Sequence, residues 1–402
     1  MKQGYIVLRG SPADRGDRGT WGPMRTSGRG PDIQTDSAGD AANVRADIDV
    51  LDDNELQEAF DDPAVLNIAP TDGPLKLIEP LSSATPAGIA ADSGAPPWGL
   101  EAVGALSSMS TGRGIRVAVL DTGIDLRHPA FLPLLQKSRI VVRNFTEGPA
   151  DDVSDTHGHG THCAGTIAGG EVGGQRIGVA PDVERLIVGK VMGRGGNANA
   201  TLVEAIDWAV AEGAHIISMS LGIDFPRMVE TLHLEKHLPL QAATSQALEQ
   251  YRETVGLFSK LADAMNARNV LLVAATGNES ERPAYTIDVT PPAASEHVLK
   301  VGAVALGGGA PHVAAFSNTG PDLVAPGVDI VSAAAGGGLK AMSGASMAVP
   351  HVAGVAALWA ERIKSMHGMV SFQDLVADLL GATQRLDARR ADVGRGLVRA
   401  PE

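Results

Sequence analysis

From Trp98 onward the chain alternates short, continuously apolar runs with stretches of helical spacing, and this alternation leaves few folds open. The runs IRVAVLDTG (115–123), ERLIVGKVM (184–192), AHIISMSLG (214–222) and VLLVAATGN (270–278) read as strands without a polar face. Such strands must be covered on both sides, as in a parallel sheet. Among and after them lie three helical patterns: THCAGTIAGG (161–170), which stops at paired glycines, ATLVEAIDWAVAEG (200–213), with Gly213 as its C-cap, and SMAVPHVAGVAALWAERI (346–363). The expected class is α/β: a three-layer sandwich with a mainly parallel central sheet flanked by helices. Only 3% of the 402 residues are aromatic, so the core must be built mainly from Ala, Val, Leu and Ile. The length fits two to three domains or one large α/β domain.

The first 97 residues have a different texture. GYIVLRG (4–10) reads as a short strand. Residues 10–45 are rich in Gly, Arg, Asp and Ser and read as disordered. DDNELQEAFDDPAVLNIAP (52–70) reads as an acidic helix ending before Pro63 and then a strand, and LKLIEPL (75–81) as a second strand. SSATPAGIAADSGAPP (82–97) has linker composition. The expected organisation is a small N-terminal α+β or partly disordered region at 1–97, followed by the α/β domain at 98–402.

A net charge of −14 without a dense Lys/Arg block argues against nucleic acid or an anionic membrane as partner. The single cysteine, Cys163, excludes an intrachain disulfide and fits a reducing compartment. The N-terminal apolar run is too short for a secretory signal, and no run reaches the ~18 residues of a membrane helix. The expectation is a cytoplasmic protein, with leaderless export as the alternative.

In parallel sheets, ligands bind beyond the carboxyl ends of the strands. Three of the strands end there in polar residues: Asp121, Ser220 and Asn278. Two helices begin with further chemistry, His159 in DTHGHGTHCAGT and Ser346 in SGASMAVPH. On its own Ser346 reads as a helix N-cap. Together these residues satisfy the needs of acyl transfer. A serine hydroxyl needs a base, an imidazole can be that base, and a carboxylate fixes the imidazole tautomer and stabilises its cation. An asparagine amide and a helix N-terminal N–H can receive the oxyanion.

These residues resemble the subtilases, the subtilisin-like serine peptidases, with Asp, His and Ser in the same chain order. The resemblance covers about residues 96–402 through PPWGL, VAVLDTGID, HGHGTHCAGTIAG, GVAP, SMSLG, VAATGN, FSNTGPDLVAPG, SGASMAVPHVAG and VGRGLVRA. It implies a serine endopeptidase acting on proteins or peptides, with Asp121, His159 and Ser346 as triad and Asn278 as side-chain oxyanion donor. It further implies that Ser220, Leu221 and Gly222 form a backbone edge for an extended substrate, and that Ala275, Thr276 and Gly277 help wall the pocket for the residue before the scissile bond. The alternatives are a peptidase or transpeptidase dedicated to one peptide, and a peptide-binding scaffold without turnover.

The remaining polar residues have plainer readings. His157, His159 and His162 have a spacing that could suggest a metal, but no fourth ligand completes a set, and no metal is expected. His157 reads as exposed, His162 and His351 as structural, Cys163 as a small buried residue, Asp125 as a turn cap, and Asp155 as a surface or substrate-facing acid. The chain departs from the family at Ala345, where threonine is usual. Ala130 stands where many extracellular members have a calcium-binding aspartate, and the loop 169–178 lacks an asparagine-rich calcium pattern. No cofactor is required by the chemistry; structural calcium stays open as an alternative, against which these two departures argue. The separation of Gly222 from Asn278 is about twice the family's, which places a helical insertion at about 227–254 before a core helix at roughly 255–268. DDPAVLNIAPTDGPLKLIEPL resembles the end of a subtilase prodomain, so residues 1–97 are read as an intramolecular prodomain or built-in inhibitor.

Overall fold

A computed structural model of the chain describes residues 2–10, 44–71, 75–81, 97–192 and 198–402. The N-terminal region contributes β1 (Gln3–Gly10), β2 (Val44–Leu51), helix α1 (Asp53–Asp61), β3 (Val65–Pro70) and the short β4 (Leu75–Leu77). β1 lies between β2 and β3 in an antiparallel sheet. Arg9 fixes the β1–β2 pairing through Asp47 and Asp49. Asp52 caps α1 in a reciprocal box with Glu55, which satisfies N–H groups the first turn cannot. Of the tract read as disordered, 11–43 lies outside the described residues. Its ends do not fit that reading: Gly10, Val44 and Arg45 are paired strand residues. The linker reading at 82–97 also falls almost wholly outside the described residues.

The central sheet of the described chain has eight strands. They are β5 (Arg116–Asp121), β6 (Ile140–Asn144), β7 (Arg185–Lys190), β8 (Ile216–Met219), β10 (Leu271–Ala275), β11 (Leu299–Gly307), β12 (Ala310–Val313) and β13 (Leu323–Pro326). The three-residue β9 (Leu221–Ile223) continues from β8 outside that sheet. The order is β12–β11–β10–β8–β5–β7–β6, with β13 on β11, and only the β11–β12 pair is antiparallel.

Side chains alternate across a strand, so β5 feeds two cores. Val117 and Val119 join the cluster built with α2 (His159–Ala168) and α6 (Ala345–His367). Ala118 and Leu120 join the cluster built with α3 (Ala198–Ala211) and α5 (Leu240–Ala267). This is the three-layer α/β sandwich expected from the alternation. The N-terminal sheet adds to the second core: Ile6, Leu8 and Ala69 lie in one cluster with Leu257 and Phe258 of α5.

The stretch between Gly222 and Asn278 forms α4 (Phe225–Glu230), a π-helical turn at Thr231–Glu235 and α5. One helix runs through the boundary expected near 255. Its first half is anchored by buried Ala243, Ala247 and Thr254, so the added turns extend a core helix.

Candidate active site

β5 ends on Asp121, and the loop after it turns back against the start of α2. The approach is close: a Cβ on Gly160 would stand 2.3 Å from the Gly123 carbonyl oxygen, so only glycine lets this helix in. The result is a buried pair in which His159 Nδ1 lies 2.7 Å from Asp121 Oδ1. The carboxylate oxygen also accepts from the Thr122 N–H. With Nδ1 donating to Asp121, the proton-accepting face of the ring is Nε2, a buried nitrogen without a hydrogen-bond partner in this arrangement. Burial works against a charged ring, but the Asp121 carboxylate outweighs it and holds the His159 pKa well above 6.5.

Ser346 is the second residue of α6, where N–H groups lack intrahelical acceptors. Proline at 350 has no N–H to give the carbonyl four residues back, which is that of Ser346. The Ser220 hydroxyl takes that place, donating to Ser346 O at 3.1 Å, with the Cys163 thiol at 3.6 Å. The polar end of β8 and the proline in α6 thus explain each other.

Asn278, following β10, spans the gap to α6. Its Oδ1 accepts from the Ala345 N–H at 2.8 Å, which turns its Nδ2 donor toward the cleft. That donor is already engaged by the chain itself. Residues 75–81 lie across the site as an extended segment. β4 pairs antiparallel with β9, with Leu77 opposite Leu221, Lys76 opposite Gly222 and Leu75 opposite Ile223. Ile78 N donates to Ser220 O at 3.4 Å, and Leu81 N donates to Ser343 O at 2.8 Å. Between these anchors the Ser346 hydroxyl donates to Ile78 O at 2.9 Å, and Asn278 Nδ2 donates to Glu79 O at 3.1 Å. Ile78 is buried, and a Cβ on Gly222 would stand 3.1 Å from its Cδ1, so the missing side chain at 222 makes room for it.

The edge expected at Ser220, Leu221 and Gly222 is therefore the edge that pairs with residues 75–78. Ala275, Thr276 and Gly277 carry β10 toward Asn278; all three are buried, and Gly277 has φ +114°. Asp125 caps its turn through Arg127 N and also accepts from Gly336 N. His162 is buried, with Nε2 on the carbonyls of Ile330 and Lys340, and burial pushes its pKa down to about 3. His157 is exposed, as read from the sequence, and meets Glu79 at 3.3 Å. Cys163 is buried, and burial raises its thiol pKa.

Asp155 corrects the sequence reading. It is buried, not at the surface. Its two oxygens accept from the hydroxyls of Thr122 and Thr161 and from the N–H groups of His157, Gly158 and Thr161. It therefore braces the turn into α2 that presents His159. Burial raises its pKa, but these donors outweigh that and hold the carboxyl below the ordinary value. Asp155→Ala leaves five donors without their acceptor and is expected to lower unfolding free energy by about 3 kcal/mol in chemical denaturation. Because the folded pKa is depressed, this contribution is present above about pH 4 and is lost as pH falls through the folded value. A loss below about 1 kcal/mol would contradict the bracing role.

Among the described residues, Asp121, His159 and Cys163 are the grouping with metal-ligand chemistry. Two donors of a tetrahedral zinc stand about 3.3 Å apart, given bonds of about 2.0–2.2 Å. The 2.7 Å between His159 Nδ1 and Asp121 Oδ1 is a hydrogen-bond distance. No helix of the described residues is long and apolar enough to cross a membrane.

Comparison with known proteins gives a consistent pattern. The model of the Subtilase family matches residues 112–385. An intracellular serine protease of Paenibacillus polymyxa is 35% identical over 311 residues, covering 75% of this chain and 84% of that protein. The major intracellular serine protease of Bacillus subtilis strain 168 is 35% identical over 297 residues, covering 71% and 81%. Alkaline elastase YaB of a Bacillus species is 36% identical over 268 residues, covering 65% and 59%.

Proposed function

The chain belongs to the subtilase family and is a serine endopeptidase, and from that premise we propose that Ser346 is its nucleophile, His159 its base and Asp121 the group that orients and stabilises the imidazole. The observation that carries this assignment is the buried Asp121–His159 hydrogen bond, which leaves Nε2 without a partner, beside the start of α6: the Cys163 thiol lies 3.8 Å from His159 Nδ1 and 3.6 Å from Ser346 O. In the proposed reaction Ser346 Oγ bonds to the scissile carbonyl carbon while its proton passes to His159 Nε2. The carbonyl π pair moves onto oxygen, where Asn278 Nδ2 and the Ser346 N–H receive it. His159 then gives the proton to the departing amine as the C–N bond breaks. Water, deprotonated by the same nitrogen, attacks the acyl-enzyme and returns the serine. The test is labelling of Ser346 by a fluorophosphonate, with the modified peptide identified by mass spectrometry.

Asn278→Ala is expected to lower kcat about 10²–10³-fold with little change in KM, since the oxyanion exists only in the transition state. Equal kcat in the variant and the wild type would remove Asn278 from the assignment.

We further propose that residues 75–81 hold the site closed, and that the N-terminal region is an intramolecular prodomain. The support is the frame of the segment. The Ser346 proton points at Ile78 O, away from the base, and the Asn278 amide engages the next carbonyl, that of Glu79. The segment is one peptide unit out of step for attack, and Pro80 restricts Glu79 to extended conformations. Protein and peptide substrates would displace this segment. The names of the two intracellular relatives support a site of action inside the cell.

A further inference from the structure

Residues 75–78 occupy the non-primed edge in a defined register, so the side chains of 76–78 mark subsites a displacing substrate would fill. Ile78 stands at the residue before the cut, Leu77 before it, and Lys76 opposite Gly222 one further back. Lys76 Nζ lies 2.6 Å from Asp224 Oδ2. Asp224 is held for that contact: its other oxygen, Oδ1, caps α4 by accepting from Arg227 N at 3.1 Å. The neighbouring cation is turned elsewhere, since the Arg227 guanidinium faces Glu230 and Glu235. Oδ2 therefore faces the edge as a positioned negative charge just beyond β9.

We propose that Asp224 gives this peptidase a preference for lysine or arginine at the substrate position two residues before the one at the cut. The inference rests on the serine-endopeptidase reading and on substrates using the edge that β4 now occupies. Both partners are partly exposed, 49% for Lys76 and 27% for Asp224. The expected selectivity is accordingly modest, about two- to fivefold for each charge added or removed.

The test uses the full-length chain and internally quenched peptides Leu-X-Leu-Ile-Ser-Leu with X as Lys, Gln or Glu, cut between Ile and Ser. The ratio of kcat/KM between peptides is taken within one preparation, so occupancy of the cleft by residues 75–81 cancels. Wild type should prefer Lys over Glu by about five- to tenfold, mainly through KM, and the ratio should fall toward one at 1 M salt, where the Debye length is about 3 Å. Asp224→Asn keeps the helix cap and should bring the low-salt ratio close to one. A wild-type ratio of one, or an unchanged ratio in Asp224→Asn, would overturn the inference while leaving the peptidase intact. No cleavage of any peptide together with no fluorophosphonate labelling would instead sink the endopeptidase reading itself.

Discussion

Replacing Ser346 by alanine should lower kcat by about 10⁶-fold and abolish fluorophosphonate labelling, with unfolding free energy changed by no more than about 1 kcal/mol. The size follows from the division of labour in the cleft. Alanine removes the hydroxyl proposed as nucleophile, so the covalent route closes altogether. Stability changes little because the hydroxyl's hydrogen bond is to Ile78 O, in the segment proposed to give way to substrate. Active-site titration and kcat measurement on the same preparations check both parts.

Ile78→Asp should act in the opposite direction, raising peptide hydrolysis by the full-length chain about 10²–10³-fold. A segment tethered at an effective concentration in the millimolar range, with an intrinsic affinity for the cleft in the micromolar range, suppresses the site by the ratio of the two, about 10³. Ile78 is buried where Gly222 leaves space, and a carboxylate there loses its hydration without gaining a partner. The variant should therefore favour the open state. The same rate in both chains would show that residues 75–81 do not limit access.

Much of this site was legible in the sequence because its chemistry sits at punctuation points. Strands that end in Asp121 and Asn278 and helices that begin at His159 and Ser346 are local features, and the sheet's parallel order brings their ends to one edge. Pro350, by contrast, passed as part of the helical run 346–363, and only the structure shows that the carbonyl it leaves free is taken by the Ser220 hydroxyl. The rest depended on tertiary partners. Asp155 lies in a polar, glycine-rich turn and looked like a surface acid, yet two threonine hydroxyls from separate segments bury it. The strand Val44–Leu51 alternates charged and apolar residues at the end of a polar tract, and its pairing with β1 gives those charges partners. The register of 75–77 on 221–223 joins segments over a hundred residues apart, and no local pattern encodes it. The four-residue strands β12 and β13 were below the length at which periodicity speaks, whereas the nine-residue β11 was long enough and was passed over.

The pH profile ties the acid–base assignment to the same geometry. Asp121 holds the His159 pKa above the ordinary 6.5, and a general base must be neutral to act. Activity should thus fall as pH drops below a midpoint higher than that of a free imidazole. Asp121→Asn should move the midpoint down and cut kcat by about 10⁴-fold. A wild-type midpoint at or below 6.5 would contradict the pairing.

The central claim, a working serine nucleophile covered by the chain's own residues 75–81, meets its most direct test in the rate and position of fluorophosphonate labelling. A single modified residue is expected, Ser346, labelled at least about 10²-fold faster in Ile78→Asp than in the wild-type chain. Labelling elsewhere, or none at Ser346 in the opened chain, would contradict it.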